Sequence, residues 1–477
     1  MLVFKRVYAV IGPVLVVLIT LIGVRMLAYW RSFLFSWRQY RRLETVSTAQ
    51  LRDLIVPHVK IQVTTRGSAG STEVIMRGIR NVERLAQEDP QFFRRFLSVE
   101  VVTESELQAS FLEDSFASSP VPVEALVLPA DYQSPEGTLL KARGLHYAVE
   151  RRRAGWNSKP GRTFVVHYDE ESVMTPAELR KLIAVLATTD KKILEGPIYY
   201  PLEYLDAAPV CRAMEANRPV GCFECRKVMT DGVPLHLHGS NLVVDEAFEN
   251  RIGWDIGRLD GQPFIAEDYV FGMNAYLAGG SEGFGWHGCV MLEQPPFSVR
   301  SALKQRHRWT FGVLQGMAMS RRLPSFAALP RLQRTRLIWG TRYRIATFAS
   351  GSVVGLLSVL YLPVLLTRTV RSLAGGPVIT MPWEGSLLLA VVGLLWLGSV
   401  FIGAWYNVAE AGLTATQRRL EIARALALAP LAGLLESSAA LWAVVEWAVL
   451  GRREVFWQPT PKTKQADADA DWNPALV

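Results

Sequence analysis

Apolar runs long enough to cross a bilayer sit at both ends of the chain, with a long polar stretch between them. A chain patterned this way puts its ends in lipid and folds its middle in water, which excludes one compact soluble core. Residues 7–24 carry no charge, and the run continues through Met26, Leu27 and Ala28, close to the ~20 residues that span the hydrocarbon layer. A cleavable signal peptide needs a shorter run and a small-residue cleavage site. Here the run leads instead into Tyr29-Trp30-Arg31, an aromatic and basic interfacial anchor. Three further apolar stretches, residues 345–366, 386–408 and 427–450, lie toward the other end, so about four transmembrane helices are expected.

The net charge of +8 belongs mostly to segments beside these runs, as in Arg31, Arg38, Arg41 and Arg42, then Arg331, Arg334, Arg336, Arg342 and Arg344. Basic residues there set topology and do not point to nucleic acid. They outnumber Lys5 and Arg6 before the first run, which places the middle domain in the cytosol, at the plasma membrane if the chain is bacterial. Arg418, Arg419 and Arg424 agree, whereas Arg452 and Arg453 do not if the last run crosses fully. Glu436 and Glu446 within that run would suit a functional carboxylate, but a surface-lying or re-entrant helix explains them more simply. Four cysteines in a cytosolic domain do not make a disulfide framework. Cys222-x-x-Cys225 followed by His236 and His238 has neither finger spacing nor a second Cys pair, so zinc is not expected.

Across residues 38–310 strand-like and helix-like segments alternate, the pattern of an α/β fold with a mostly parallel, Rossmann-like sheet. Strands are expected at 60–65, 99–103, 123–128 and 163–168, with helices at 71–86 and 138–153. Ligands of such sheets bind at the carboxyl ends of the strands. The fourth strand ends at Asp169-Glu170-Glu171. Turns and helix caps also favour acids there, so this triplet alone is balanced between cap and metal site. Asp169 and Glu171, on alternate positions, can direct hard oxygen ligands toward one Mg²⁺ or Mn²⁺ that holds a diphosphate. Glu267-Asp268 opens a helix, where it either favours the positive helix terminus or supplies a general base. In residues 300–309 a basic amphipathic helix leads toward the C-terminal runs, and interfacial anchoring is its simplest role. Gln305, Arg308 and Trp309 on it also offer an amide, a diphosphate-binding guanidinium and a sugar-stacking ring.

The ordered set Asp169-Glu170-Glu171, Glu267-Asp268 and Gln305-Arg306-His307-Arg308-Trp309, followed at once by apolar runs, resembles the membrane-bound family 2 inverting glycosyltransferases. Val63-Thr-Thr-Arg-Gly, Lys141-Ala-Arg-Gly-Leu, Val166-His-Tyr-Asp-Glu-Glu and His238-Gly-Ser-Asn-Leu-Val-Val look closest to egghead-type β-1,4-mannosyltransferases. The second strand ends in Thr103-Glu104-Ser105 where the family usually has Asp-Asp. The resemblance implies a GT-A domain over residues 38–310, between a transmembrane anchor (1–37) and interfacial helices (311–344), transmembrane helices (345–457) and a disordered tail (458–477). It implies a nucleotide-sugar donor, GDP-mannose or UDP-glucose, and a lipid-linked or glycan acceptor at the bilayer. Thr65, Arg66 and Glu104 would lie near the nucleotide, Lys141, Gln305 and Arg308 near the phosphates, Asp169 and Glu171 on Mg²⁺ or Mn²⁺. Asp268, with Glu267 as rival, would be the base. Trp309, His238, Gly239, Ser240 and Asn241 would line the acceptor path. A processive β-polysaccharide synthase is the competing expectation, and a catalytically inactive glycan-binding or transport subunit a remote one. A polymer channel built from about four helices would need a homo-oligomer, which favours a short product.

Overall fold

The computed structural model describes residues 2–40, 46–157, 159–231, 233, 236–373, 383–454 and 460–464, without the side chains of 2–12, 37–40, 69, 223–224, 357–373 and 383–386. Most of the expected disordered tail therefore lies outside the described residues.

Seven strands form the central sheet: β1 (His58–Thr65), β2 (Leu97–Thr103), β3 (Val123–Val127), β4 (Thr163–Tyr168), β5 (Ile193–Glu195), β6 (Leu242–Asp245) and β7 (Phe284–Trp286). Their order is β7-β5-β6-β4-β1-β2-β3. Every pairing is parallel except those of β6, which runs against β4 and β5. The mostly parallel sheet is as expected, and β6 is an unforeseen antiparallel insertion at residues 242–245, within the His238 motif.

β1, β2 and β4 are buried almost throughout because helices cover both faces, the burial that parallel sheets require. Ile61, Val63, Val99 and Val101 share one core with Ile75, Ile79 and Val82 of the helix Ala69–Gln87 and with Leu182 and Ile183 of Pro176–Thr188. A second core gathers Leu145, Leu242, Val244, Trp254 and Phe271. On β1 the residues between the apolar ones are Lys60 and Gln62, and these are buried only because they are paired. Lys60 Nζ bonds Glu246 at 3.0 Å, and the Gln62 amide donates to Glu100.

The chain leaves β1 toward β2 and β3, then returns to place β4 on β1's other side. Adjacent connections diverging in this way open a crevice beyond the carboxyl ends of β1 and β4. Thr65 ends β1, and Asp169 follows the last residue of β4. Gly67 has φ +79°, and a Cβ there would lie 2.3 Å from that of Ser105. The turn after β1 can therefore close onto the end of β2 only with glycine at that position.

Among the described residues, three helices contain stretches long and apolar enough to cross a membrane: Pro13–Ser36 within Leu2–Tyr40, Leu387–Glu410 within Trp383–Glu410, and Ala415–Ala448. The fourth expected stretch, 345–366, is helical within Arg331–Leu373, but its side chains past 356 lie outside the described residues. Trp30 is half-buried against the helix Trp383–Glu410 and donates its indole N–H to the Leu395 carbonyl at 3.0 Å. Glu436 and Glu446, within the last apolar run, both have side-chain partners. Glu436 receives Arg306 Nε at 2.9 Å and pairs with Arg218, while Glu446 pairs with His307 at 2.6 Å.

Candidate active site

The crevice at the strand ends is acidic and already holds two cations. The Lys141 ammonium, from the helix Leu140–Arg153, donates to Asp169 and, at 3.0 Å, to the Gly239 carbonyl. Lys462 pairs with Glu171, and its backbone carbonyl accepts from the Gln294 amide at 3.0 Å. Glu170 accepts from the Thr65 hydroxyl at 2.5 Å, tying the end of β1 to the acidic turn after β4. Burial works against charge on Asp169, but Lys141 and Lys462 outweigh it and hold the carboxyl below its usual range. Glu170 has no such direct partner, and burial pushes it upward. Beside the turn of β1, Glu104 accepts from Arg143 at 3.3 Å and lies 3.9 Å from Arg66.

The base candidates stand across Lys141 from this cluster. Glu267 and Asp268 form the first turn of the helix Glu267–Gly279 and are half-buried. A Cβ built on Gly239 would come within 3.3 Å of Lys141 Nζ, 3.6 Å of Asp268 Oδ2 and 3.8 Å of Glu267 Oε1, so the Gly239 backbone, Lys141 and both carboxyls share one small space. Burial, and then the Glu267 charge, raise the Asp268 carboxyl to about 7. The same carboxyls act on Lys141: burial opposes its charge, yet Asp169, Glu267 and Asp268 keep the ammonium above the usual lysine range.

The basic helix Val299–Ser320 locks onto this turn. A Cβ at Gly312 would sit 2.5 Å from the Ala266 Cβ, and Gln315 donates to the Pro263 carbonyl at 2.8 Å. Its cations divide by role. Arg306 is fully buried against Glu215 and Glu436 and donates to the Gln305 side-chain carbonyl at 2.5 Å. Gln305 is thus held by Arg306, although it still borders the cavity. Arg308 faces the cavity, and its charge reaches the Asp169 carboxyl. The Trp309 ring carries the guanidiniums of Arg218 and Arg306 at 4.7 and 4.3 Å, so the surface expected to take a sugar is shared with two cations.

Of the expected acceptor-side residues, His238, Gly239 and Ser240 border the cavity. Asn241 does not. It is completely buried in a left-handed conformation (φ 55°), with its amide donating to the Pro197 and Cys289 carbonyls at 2.9 and 3.0 Å. Its side chain ties down the start of β6. Lys462 and Glu293 also border the cavity and carry no signal in the sequence, while Glu195 is buried behind the His238 backbone. Glu293 accepts from Ser172 at 3.1 Å and from Ser240, directly behind the acidic turn, and burial followed by the charges of Glu171 and Asp169 pushes it up to about 8. Glu195 accepts from the His238 backbone N–H at 2.5 Å, and burial raises it to about 8 as well.

A single cavity of about 3210 Å³ joins these parts. It runs from Thr65 and Glu104, past Asp169 and Asp268, to Tyr29, Trp396 and Trp442 on the apolar helices.

The family model described as glycosyl transferase family group 2 matches residues 164–408, more than half of the 477-residue chain. The chain is 26% identical to Beta-1,4-mannosyltransferase egh of Drosophila melanogaster over 263 residues, 55% of this chain and 53% of that protein. It is 26% identical to Beta-1,4-mannosyltransferase bre-3 of Caenorhabditis elegans over 196 residues, 40% and 41% of the two chains. These matches span about half the length of the curated relatives or less. The solved structure of mannosyltransferase PcManGT from Pyrobaculum calidifontis, in complex with GDP-Man and Mn2+, is similar at a TM-score of 0.40 and 16% identity, over 79% of this chain and 98% of that one.

Proposed function

The chain belongs to glycosyl transferase family group 2, and from that membership we propose that it transfers mannose from GDP-mannose to a lipid-linked acceptor with inversion at the anomeric carbon. One observation carries the reading beyond the family. The cavity is continuous from the acidic, strand-end crevice to helices apolar enough to lie in a bilayer, so a water-soluble donor and a membrane-borne acceptor can meet at Asp268. The sugar is proposed from the mannosyltransferase names of the two curated relatives.

The donor set fits a divalent metal. Asp169 and Glu171 offer hard carboxylate oxygens in the same crevice, and each already attracts a lysine ammonium, Lys141 and Lys462 in turn, where a dication would compete. Bound there, Mg²⁺ or Mn²⁺ would neutralise the donor diphosphate and help it leave. The chain's own residues do the rest. Thr65, Arg66 and Glu104 hold the nucleotide at the ends of β1 and β2. Lys141 and Arg308 take up the negative charge that grows on the diphosphate as its bond to the sugar breaks. Asp268 removes the proton of the acceptor hydroxyl while that oxygen bonds to the anomeric carbon from the opposite face, which inverts the configuration. His238, Gly239 and Ser240 border the acceptor's approach. The basic residues flanking the apolar runs put this domain in the cytosol, where nucleotide sugars are available.

Membranes containing the full chain are incubated with a panel of labelled GDP- and UDP-sugars, and lipid-soluble product is separated from polymer. Label from GDP-mannose in the organic extract is expected. Label only in polymer would instead identify a processive synthase, and label from a UDP-sugar alone would overturn the donor.

A further inference from the structure

On the wall of the same cavity, away from the acidic crevice, a second set of metal-ligating atoms converges. Cys225 projects from the helix Arg218–Asp231, and His236 and His238 come from the segment leading to β6. One ligand atom from each lies within 4.8 Å of the other two, and Cys225 Sγ is 3.3 Å from His238 Nε2. The imidazole rings are 4.9 Å apart and inclined at 81°, so their nitrogens approach from different directions. Cys225 is buried, the histidines are half-buried, and all three border the cavity. Among the described residues, His238 Nδ1 is buried without a hydrogen-bond partner.

Cys222, one turn earlier on the helix, takes no part. Its thiol is directed to the Ile198 carbonyl at 3.7 Å. This is why the Cys-x-x-Cys spacing gave no zinc expectation: the ligands are one cysteine of that pair and a His-x-His, brought together by the fold. Two packed histidines beside a thiol can also be plain core residues. Against that reading, a thiol and two imidazoles from two segments converge: Cys225 Sγ and His238 Nε2 are 3.3 Å apart, close to the ~3.5 Å edge of a tetrahedron built on Zn–N of about 2.0–2.1 Å and Zn–S of about 2.3 Å, and the His236 ligand atom lies within 4.8 Å of both. Sulfur and nitrogen donors also select against the Mg²⁺ or Mn²⁺ suited to Asp169 and Glu171.

We propose that Cys225, His236 and His238 form a zinc site, with a fourth position left to water or acceptor on the cavity side. Zinc there ties the His236–His238 segment to the Arg218–Asp231 helix. The next two residues are Gly239, whose carbonyl receives Lys141, and Ser240, which bonds Glu293. The metal thereby holds the acceptor wall against the base and the acidic crevice.

The test uses the full chain in detergent, with metal content measured by mass spectrometry and zinc exchanged for Co²⁺. One zinc per chain is expected, and the cobalt form should show tetrahedral visible bands with a thiolate charge-transfer band. Cys225→Ser should lose the charge-transfer band and His236→Ala should lose the metal, while Cys222→Ser should keep both. Zinc should raise the melting temperature of the wild-type chain but not of His236→Ala. Wild-type protein that, after zinc loading, holds no more metal than His236→Ala overturns the proposal, as does a charge-transfer band that survives Cys225→Ser. If either variant fails to fold, the wild-type cobalt spectrum decides, because a spectrum without thiolate character excludes the site.

Discussion

Lys462 and Glu171, 291 positions apart in the chain, form an ion pair inside the acidic crevice where Asp169 and Glu171 are proposed to hold a metal. A divalent ion entering that place competes with the lysine ammonium. The pair is largely out of solvent, with side-chain exposures of 16% and 11%, so the two charges are weakly screened. Lys462→Ala should therefore lower the Mn²⁺ or Mg²⁺ concentration for half-maximal transfer severalfold. A metal titration of both proteins checks this, and an unchanged or higher requirement would mean that Lys462 serves the donor instead of excluding the metal.

Arg306 and Arg308 lie two positions apart on one helix and should fail in different ways. Arg306 is wholly buried between Glu215 and Glu436. Its removal leaves two buried carboxylates sharing Arg218, so Arg306→Ala should cost up to about 3–5 kcal/mol of stability, read as a lower melting temperature. Arg308→Lys should melt like the wild type yet lose activity, because a planar fork grips two phosphate oxygens where an ammonium presents a single point. Melting curves and donor KM measured on both variants separate the roles.

Much of this arrangement is legible in the residues. The run Thr163 to Tyr168 reads as a buried strand, and the acids after it fall at a carboxyl end where α/β sheets bind ligands. Glu267-Asp268 reads as a helix opening, and the structure places it there. Long-range pairing is what local pattern does not carry. Lys462 sits in a tail whose Pro, Lys and Asp content reads as disorder, and nothing nearby in the sequence marks it as a partner of Glu171. The division of labour between Arg306 and Arg308 depends on Glu215 and Glu436, which lie 91 and 130 positions from Arg306. Asn241 looks like a polar cavity residue until the antiparallel insertion of β6 turns its amide to the Pro197 and Cys289 carbonyls.

A base works only when ionised, and Asp268 is raised to about 7, first by burial and then by Glu267. Below that pH the carboxyl is protonated, so kcat/KM should fall about tenfold per unit on the acid side and level off above neutrality. Any residual activity of an Asp268→Asn protein should lack this acid limb. A wild-type profile flat across neutrality would assign the proton transfer to another group.

The central claim is that Asp268 takes the acceptor proton, and the amide isostere tests it most directly. Asp268→Asn keeps the size and most of the hydrogen bonding of the carboxylate but cannot accept the proton. Single-turnover transfer should fall by roughly 10²–10⁴-fold, the usual contribution of a positioned base. Donor binding, measured in parallel, should barely change, because the proposed metal and phosphate contacts are made by other residues. Glu267→Gln is the matched control, since neighbouring helical residues point about 100° apart and only one of the two can face the acceptor. A crippled Asp268→Asn beside a largely active Glu267→Gln is the expected result; an Asp268→Asn protein that transfers sugar at the wild-type rate would rule Asp268 out as the base.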